Sequence, residues 1–360
     1  MGQTISEKII SKAAGLKEVK PGDVVTCSVD LAMIHDSGGP RRVKQIMEKL
    51  GANVWDPNKV VLVSDHFAHN TDSESMKILQ LTRDWAKGQK IDNFYDQEGI
   101  CHIVTPERGH LLPGMFAVGG DSHSPTGGAF GCFMFGVGST DMLGILVTGK
   151  TWVKVPETIN INWSGSLKQG VVAKDMALRM CAALGMNGGA YQAIQYTGDA
   201  VQSLSMTERM TLCNMSAELG AQTGIIAPDE TTFEYIKEAG GDIEDENNLI
   251  SDDDASYLIK HDFSANDLEP QVATPHSPAN STEIKNIEKV QIDKFYIGAC
   301  TGAKLVDLSM AAKILKNNKV ATGKQLTVAP ASSQIYNQAS ENGVMSILTE
   351  AGAKLLPPGC

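Results

Sequence analysis

Three short stretches of the chain share one shape: a run of apolar residues that then turns polar. They are residues 59–66 (KVVLVSDH), 115–123 (MFAVGGDSH) and 294–302 (KFYIGACTG). Apolar runs of this length, bounded by turn residues, predict strands. Between them lie patterns of helical period, such as residues 73–89 (SESMKILQLTRDWAKGQ) and 205–224 (SMTERMTLCNMSAELGAQTG). The alternation predicts an α/β architecture with largely parallel strands. In such folds ligands gather beyond the carboxyl ends of strands, so the polar tails are where chemistry is expected.

Helix starts are legible too. Thr4 and Glu7 are spaced as a capping box before Ile9, Ile10 and Ala13, with Gly15 as the expected stop. The opening MGQTIS also fits a myristoylation pattern, but the capping box is the stronger reading. Ser205 and Glu208 predict a second box. That helix is expected to end at Gly220 or Gly224, with Asn214 and Glu218 on one face. Residues 239–256 (AGGDIEDENNLISDDDAS) read as a solvated surface segment. Residues 262–289 are rich in proline and small polar residues and read as a connection. The expected division is therefore an N-terminal α/β unit over 1–285 and a C-terminal α/β subdomain over 286–360. In the latter, strand and helix patterns alternate, and parallel strands should lie side by side. Cys300 and Cys360 would then stand at the carboxyl ends of two strands of one sheet.

Composition narrows the field. The chain has 360 residues, 42% hydrophobic and 20% charged, as in an ordinary globular protein. A net charge of −11 disfavours nucleic acid or an anionic membrane as main partner. No membrane span or secretory signal is read. Seven widely spaced cysteines then point to a reducing, cytoplasmic compartment, where metal or catalytic roles outrank disulfides.

Several carboxylate–imidazole neighbours fall at predicted strand ends: Asp65-His66, Asp121-Ser122-His123 and His35-Asp36. His102 closes a further apolar turn, EGICH. A carboxylate fixes the tautomer of its histidine and raises its basicity, which suits proton transfer. A structurally satisfied histidine is the plainer alternative at any one of them. Glu218, on a partly apolar helix, needs a partner such as histidine. The glycines of 121–141 match neither common phosphate-loop pattern, and close backbone packing explains them equally well. Ser122 is not in a G-x-S-x-G elbow, and no H-E-x-x-H or paired C-x-x-C zinc motif occurs.

In order along nearly the whole chain come SEKIISKAAG, DLAMIHD, VSDH, EGICH, GGDSH, GAFG, VTGKTW, VPETI, TLCNMSAELGA, IGACTG and PPGC. Together they resemble the large subunit of the aconitase and isopropylmalate dehydratase family. The resemblance implies three-layer α/β/α subdomains with parallel or mixed sheets around a central cleft. It implies a 4Fe-4S cluster held by three cysteines, with Cys300 and Cys360 as two of them. The third would fall three residues past Cys360 and is absent from the chain. The iron left without a protein ligand would act as a Lewis acid on a hydroxy diacid.

By the same resemblance Asp65 orients His66, which protonates the departing hydroxyl. Asp121 pairs with His102, and Glu218 with His123. Asn214 lies near the cluster and His35 on the substrate side, with Ser122 and Thr301 also in the substrate or cluster environment. The implied activity is a hydro-lyase interconverting 3-isopropylmalate and 2-isopropylmalate, as in leucine biosynthesis. Dimethylmalate, homoaconitate or another diacid are alternative substrates, and a cluster-free, non-catalytic subunit is the non-enzymatic alternative. A separate small subunit carrying a swivelling domain is the implied partner. The first cysteine motif departs from the isopropylmalate pattern. It reads Cys300-Thr301-Gly302-Ala303-Lys304, where those enzymes have asparagine at the third place and arginine at the fifth. Lysine cannot reproduce the planar, two-pronged donor of arginine.

Overall fold

The structure is a computed structural model that describes residues 2–243 and 249–360. The chain forms two compact units. One joins the N-terminal residues through Ala32 to Pro106–Ile287, and the other joins Met33–Thr105 to Glu288–Cys360.

In the first unit, four parallel strands lie in the order Thr223–Ile226, Ala193–Thr197, Thr158–Ser164, Ile259–Ser264. Helices Ala173–Leu184 and Met206–Asn214 connect successive strands of this sheet. Phe116–Gly119 and Phe133–Gly136 form a second parallel pair, with Phe116 opposite Phe133 and their rings stacked at 5.7 Å. Phe116–Gly119 is buried along its whole length, which explains its unbroken apolar sequence. The turn Ser124–Phe130 joins these two strands and is wholly buried. Gly128 there is required by close approach, because a Cβ would stand 1.7 Å from the carbonyl oxygen of Gly224.

The N-terminal helix Ile5–Ala14 forms as its sequence predicts. Glu7 accepts from the Thr4 backbone N–H at 2.6 Å, and Gly15 ends the helix in the left-handed region at φ 68°. The second expected box does not form. Ser205 precedes helix Met206–Asn214, but its hydroxyl turns to Thr207 and to the Glu208 side chain and caps no backbone N–H. Nor does one helix run to Gly220. It tightens into a 3-10 turn, Met215–Ala217, with successive i to i−3 bonds at Glu218, Leu219 and Gly220. Residues 223–226 are strand.

In the second unit, Lys294–Ile297, Gln325–Val328 and Lys354–Leu355 pair in parallel in chain order, with Gln325–Val328 central. Cys300 and Cys360 follow its two outer strands. Met33–Thr105 adds the parallel pair Val60–Ser64 and Phe94–Asp96, with helices Pro40–Leu50 and Ser73–Gln89. The two segments are tied by backbone bonds from Ile100 N–H to Ala331 O (2.9 Å), Ser333 N–H to Glu98 O (2.7 Å) and Cys360 N–H to Asp65 O (2.9 Å).

These long-range bonds explain where the expected division of the chain differs from the observed one. A linear reading sees a boundary near 286, and the observed one falls between Ile287 and Glu288. It does not see that 33–105 belongs with the C-terminal segment. Residues 262–287 are also more than a connection. They complete strand Ile259–Ser264 and form the antiparallel pair Gln271–Ala273 and Ser281–Glu283. The acidic stretch falls in part on 244–248, which lie outside the described residues. No helix among the described residues is long and apolar enough to cross a membrane.

Candidate functional site

Two polar clusters form at strand ends, one in each unit. The second unit holds the denser one. His35 closes strand Leu31–His35, Asp65 follows strand Val60–Ser64, and Asp36 and His66 are their neighbours in sequence. Ligand atoms of His35, Asp36, Asp65 and His66 all lie within 4.8 Å of one another.

His66 Nδ1 stands 2.7 Å from Asp65 Oδ1, and its ring stacks on His35 at 4.2 Å. The other Asp65 oxygen accepts the Cys101 N–H at 2.8 Å. Asp65 is 1% exposed. Burial works against its charge, but the hydrogen bond and charge of His66 prevail and hold its carboxyl below the usual range. Burial likewise opposes the His66 imidazolium. Hydrogen bonds to Asp65 and Cys360 outweigh it and raise the His66 pKa to about 11. The pairing favours the protonated imidazole, the form that can donate a proton.

Asp36 is the residue that sequence reasoning undervalues. It is wholly buried and accepts the backbone N–H of His66 (3.1 Å) and of Phe67 (3.0 Å), so it fixes the turn that presents His66. Burial and the charge of Asp65 push its pKa up. The only sequence signal for it is a carboxylate after a buried strand, next to the histidine that draws attention.

Cys300 is half-buried and Cys360 exposed, whereas Cys27, Cys101, Cys132, Cys181 and Cys213 are buried. Burial pushes the Cys27 and Cys181 thiols up to about 12 and 11, and raises those of Cys132 and Cys213 as well. These four are poor thiolates and Cys101 is buried as well, which leaves Cys300 and Cys360 as the accessible pair. Lys304, two residues past Gly302, is 2% exposed, and its ammonium donates to the Cys300 carbonyl at 3.1 Å. Thr301 lies between them, 9% exposed. His102 is the second residue of helix Cys101–Glu107 and is 4% exposed.

In the first unit, Asp121 Oδ1 accepts the His123 backbone N–H at 2.9 Å and stands 3.7 Å from its Nδ1. His123 Nε2 lies 3.3 Å from Glu218 Oε1. The two carboxylates flank one ring. Asp121 leads in raising the His123 pKa, against burial, and Glu218 adds to it. Ser122 is exposed, with its hydroxyl 3.3 Å from His123 Nδ1. Asn214 donates to the Thr126 hydroxyl at 2.8 Å and so ties its helix to the turn after His123. Thr126 carries no signal in the sequence. His102 and Asp121 fall in different units. Of the remaining histidines, His69 and His276 are exposed, and His110 and His261 are half-buried.

A histidine held between carboxylates in one unit, and an Asp–His pair whose Asp65 carbonyl accepts the Cys360 N–H in the other, give an α/β protein with groups suited to proton transfer. Comparison with known proteins gives the class a family. The aconitase family (aconitate hydratase) matches residues 7–360, and the chain belongs to that family of hydro-lyases. It is 42% identical to the 3-isopropylmalate dehydratase large subunit 1 of Methanopyrus kandleri, over 100% of this chain and 86% of that protein. It is 40% identical to the methanogen homoaconitase large subunit of Methanocaldococcus jannaschii, over 99% of this chain and 86% of that one. Among solved structures, the aconitase X of Thermococcus kodakaraensis shares the fold. Its TM-score is 0.53 at 16% identity, covering 93% of this chain and 79% of that one.

Proposed function

We propose that this chain is the large subunit of an iron–sulfur hydro-lyase that isomerises a hydroxy diacid by dehydration and rehydration, with 3-isopropylmalate and 2-isopropylmalate as the substrate pair. The observation that carries the reading is the Asp65–His66 pair beside Cys360. An imidazole held by a buried carboxylate at 2.7 Å sits where the Cys360 backbone bonds to Asp65.

The donor set fits a cluster in kind. Cys300 and Cys360 are accessible thiols in one unit, whereas the other five cysteines of the chain are buried. A 4Fe-4S cluster held there would supply a Lewis acid for the substrate hydroxyl. The chain's own residues do the rest. His66 donates a proton to the departing hydroxyl, and Asp65 and Asp36 hold its ring and backbone in place. His123, between Asp121 and Glu218, holds or moves a second proton, and His102 is a further candidate for proton handling. His35 and Ser122 present polar groups to substrate, and Asn214 and Thr301 position their turns. A separate small subunit, in keeping with relatives named as large subunits, completes the enzyme.

The test combines the anaerobically iron- and sulfide-reconstituted chain with a candidate small subunit. Alkene formation from 3-isopropylmalate, homocitrate and 2,3-dimethylmalate is followed by ultraviolet absorbance. Turnover of 3-isopropylmalate supports the proposal, turnover of another diacid alone moves the substrate assignment, and no turnover of any overturns it.

A further inference from the structure

A hydroxy diacid brings two negative charges to a cluster that already contains the buried carboxylates Asp36 and Asp65. Burying such a dianion without a cation is unfavourable. Lys304 is not free to supply one. It is 2% exposed, its ammonium is turned to the Cys300 carbonyl at 3.1 Å, and Asp307 lies 3.7 Å away. His66 is committed to Asp65.

Arg41 differs from both. It lies in the first turn of helix Pro40–Leu50, five residues after Asp36, and is half-buried. Its guanidinium carbon stands 5.4 Å from the centre of the Phe67 ring. Phe67 directly follows His66, and its N–H is held by Asp36 at 3.0 Å. The cation is thus anchored on the same turn that presents the general acid. Among the described residues Arg41 has no hydrogen bond and no carboxylate partner. A guanidinium stacked on an aromatic face keeps its in-plane N–H groups available, and two of them match a carboxylate. A half-buried arginine held by a ring and left with unused donors is shaped to receive an anion.

We propose that Arg41 is the carboxylate-binding residue of the second unit, taking the substrate carboxylate that is not engaged at the reacting carbon. The inference rests on the reading of the chain as a diacid hydro-lyase. It makes Arg41 a specificity determinant, because a mono-acid of the same shape would leave the guanidinium unpaired.

The experiment compares wild type, Arg41→Gln, Arg41→Lys and Arg42→Gln, the last an exposed neighbour used as control. Each is assayed as the reconstituted enzyme with its small subunit, and each is titrated calorimetrically with 2-isopropylsuccinate, which lacks the reacting hydroxyl. Loss of a charge-assisted two-pronged contact should raise KM by about 10- to 100-fold in Arg41→Gln, with kcat within about threefold. Arg41→Lys should fall between, and Arg42→Gln should match wild type. Binding of 2-isopropylsuccinate should weaken in parallel with KM. An unchanged KM in Arg41→Gln, an equal rise in Arg42→Gln, or a loss confined to kcat would overturn the proposal. If wild type turns over no diacid, the hydro-lyase reading fails and calorimetry alone decides. Weaker binding in Arg41→Gln then upholds Arg41 as the carboxylate site, and equal binding refutes it.

Discussion

Arg209 lies wholly out of contact with water, yet each of its five N–H groups has an acceptor. Nε donates to Leu204 O at 3.1 Å. Nη1 donates to Asp229 Oδ1 at 2.7 Å and Thr232 Oγ1 at 3.3 Å, and Nη2 to Asp229 Oδ2 and Gln202 O, both at 2.7 Å. The network anchors helix Met206–Asn214, which leads to Asn214 and Glu218. Asp229→Ala would strand a buried guanidinium. Removing one partner of a buried pair costs about 3–5 kcal/mol, but the Asp229 side chain is 39% exposed, so about 2–3 kcal/mol is the fitting share. Asp229 also caps helix Glu230–Glu238 through the Thr232 N–H at 3.2 Å, which adds about 1 kcal/mol. The expected total is about 3–4 kcal/mol, and Asp229→Asn, which keeps the cap oxygen, should lose about half of it.

Hydrogen exchange of peptides covering residues 206–238 reads the local opening free energy directly. The pH dependence has a fixed sign. Burial opposes the Asp229 charge, but Arg209 prevails and lowers the pKa. The stabilisation is therefore complete above the ordinary aspartate value of about 3.9 and fades as pH falls towards the folded value. The gap between wild type and Asp229→Ala should stay level at neutral pH and narrow below about pH 4. A gap under about 1 kcal/mol at pH 7, or Asn as damaging as Ala, would refute the reasoning.

Three further outcomes are expected. Asp65→Asn removes the carboxylate that holds the His66 ring and favours its protonated form, so kcat of the reconstituted enzyme should fall by about 10²- to 10⁴-fold, and unchanged turnover would rule His66 out as general acid. Gly128→Ala places a Cβ against the Gly224 carbonyl and should destabilise the first unit by about 1–3 kcal/mol or prevent its folding, as urea unfolding followed by circular dichroism would show. Thiol labelling of the native, cluster-free chain should modify Cys300 and Cys360 quickly and the five buried cysteines only after unfolding; rapid labelling of Cys132 or Cys213 would contradict the assigned burial.

What could be read from the sequence was local. Apolar runs ending in polar turns located the strands before Asp65, Asp121 and Cys300; the first two are buried throughout and so need continuous apolar residues, whereas Lys294–Ile297 is largely exposed. The Thr4–Glu7 box was legible because both partners lie within one turn. Ser205 kept the same spacing, yet its hydroxyl found Thr207 and Glu208 instead, a competition that spacing does not encode. The grouping of 33–105 with the C-terminal segment was hidden, since it depends on backbone bonds such as Ile100 to Ala331 between distant residues. The roles of Asp36 and Thr126 were hidden for a similar reason. Each acts by holding a turn whose visible residue is a neighbouring histidine.

The central claim is that Cys300 and Cys360 serve a cluster-dependent dehydration in which His66 delivers the proton. The most direct measurement is alkene formation from 3-isopropylmalate by the reconstituted chain with its small subunit, wild type beside His66→Asn. The account predicts turnover that needs iron and sulfide, is lost in air, and drops by at least about 10²-fold in the variant. Equal turnover in His66→Asn, or a wild-type chain that stays colourless and inactive after anaerobic reconstitution, would contradict it.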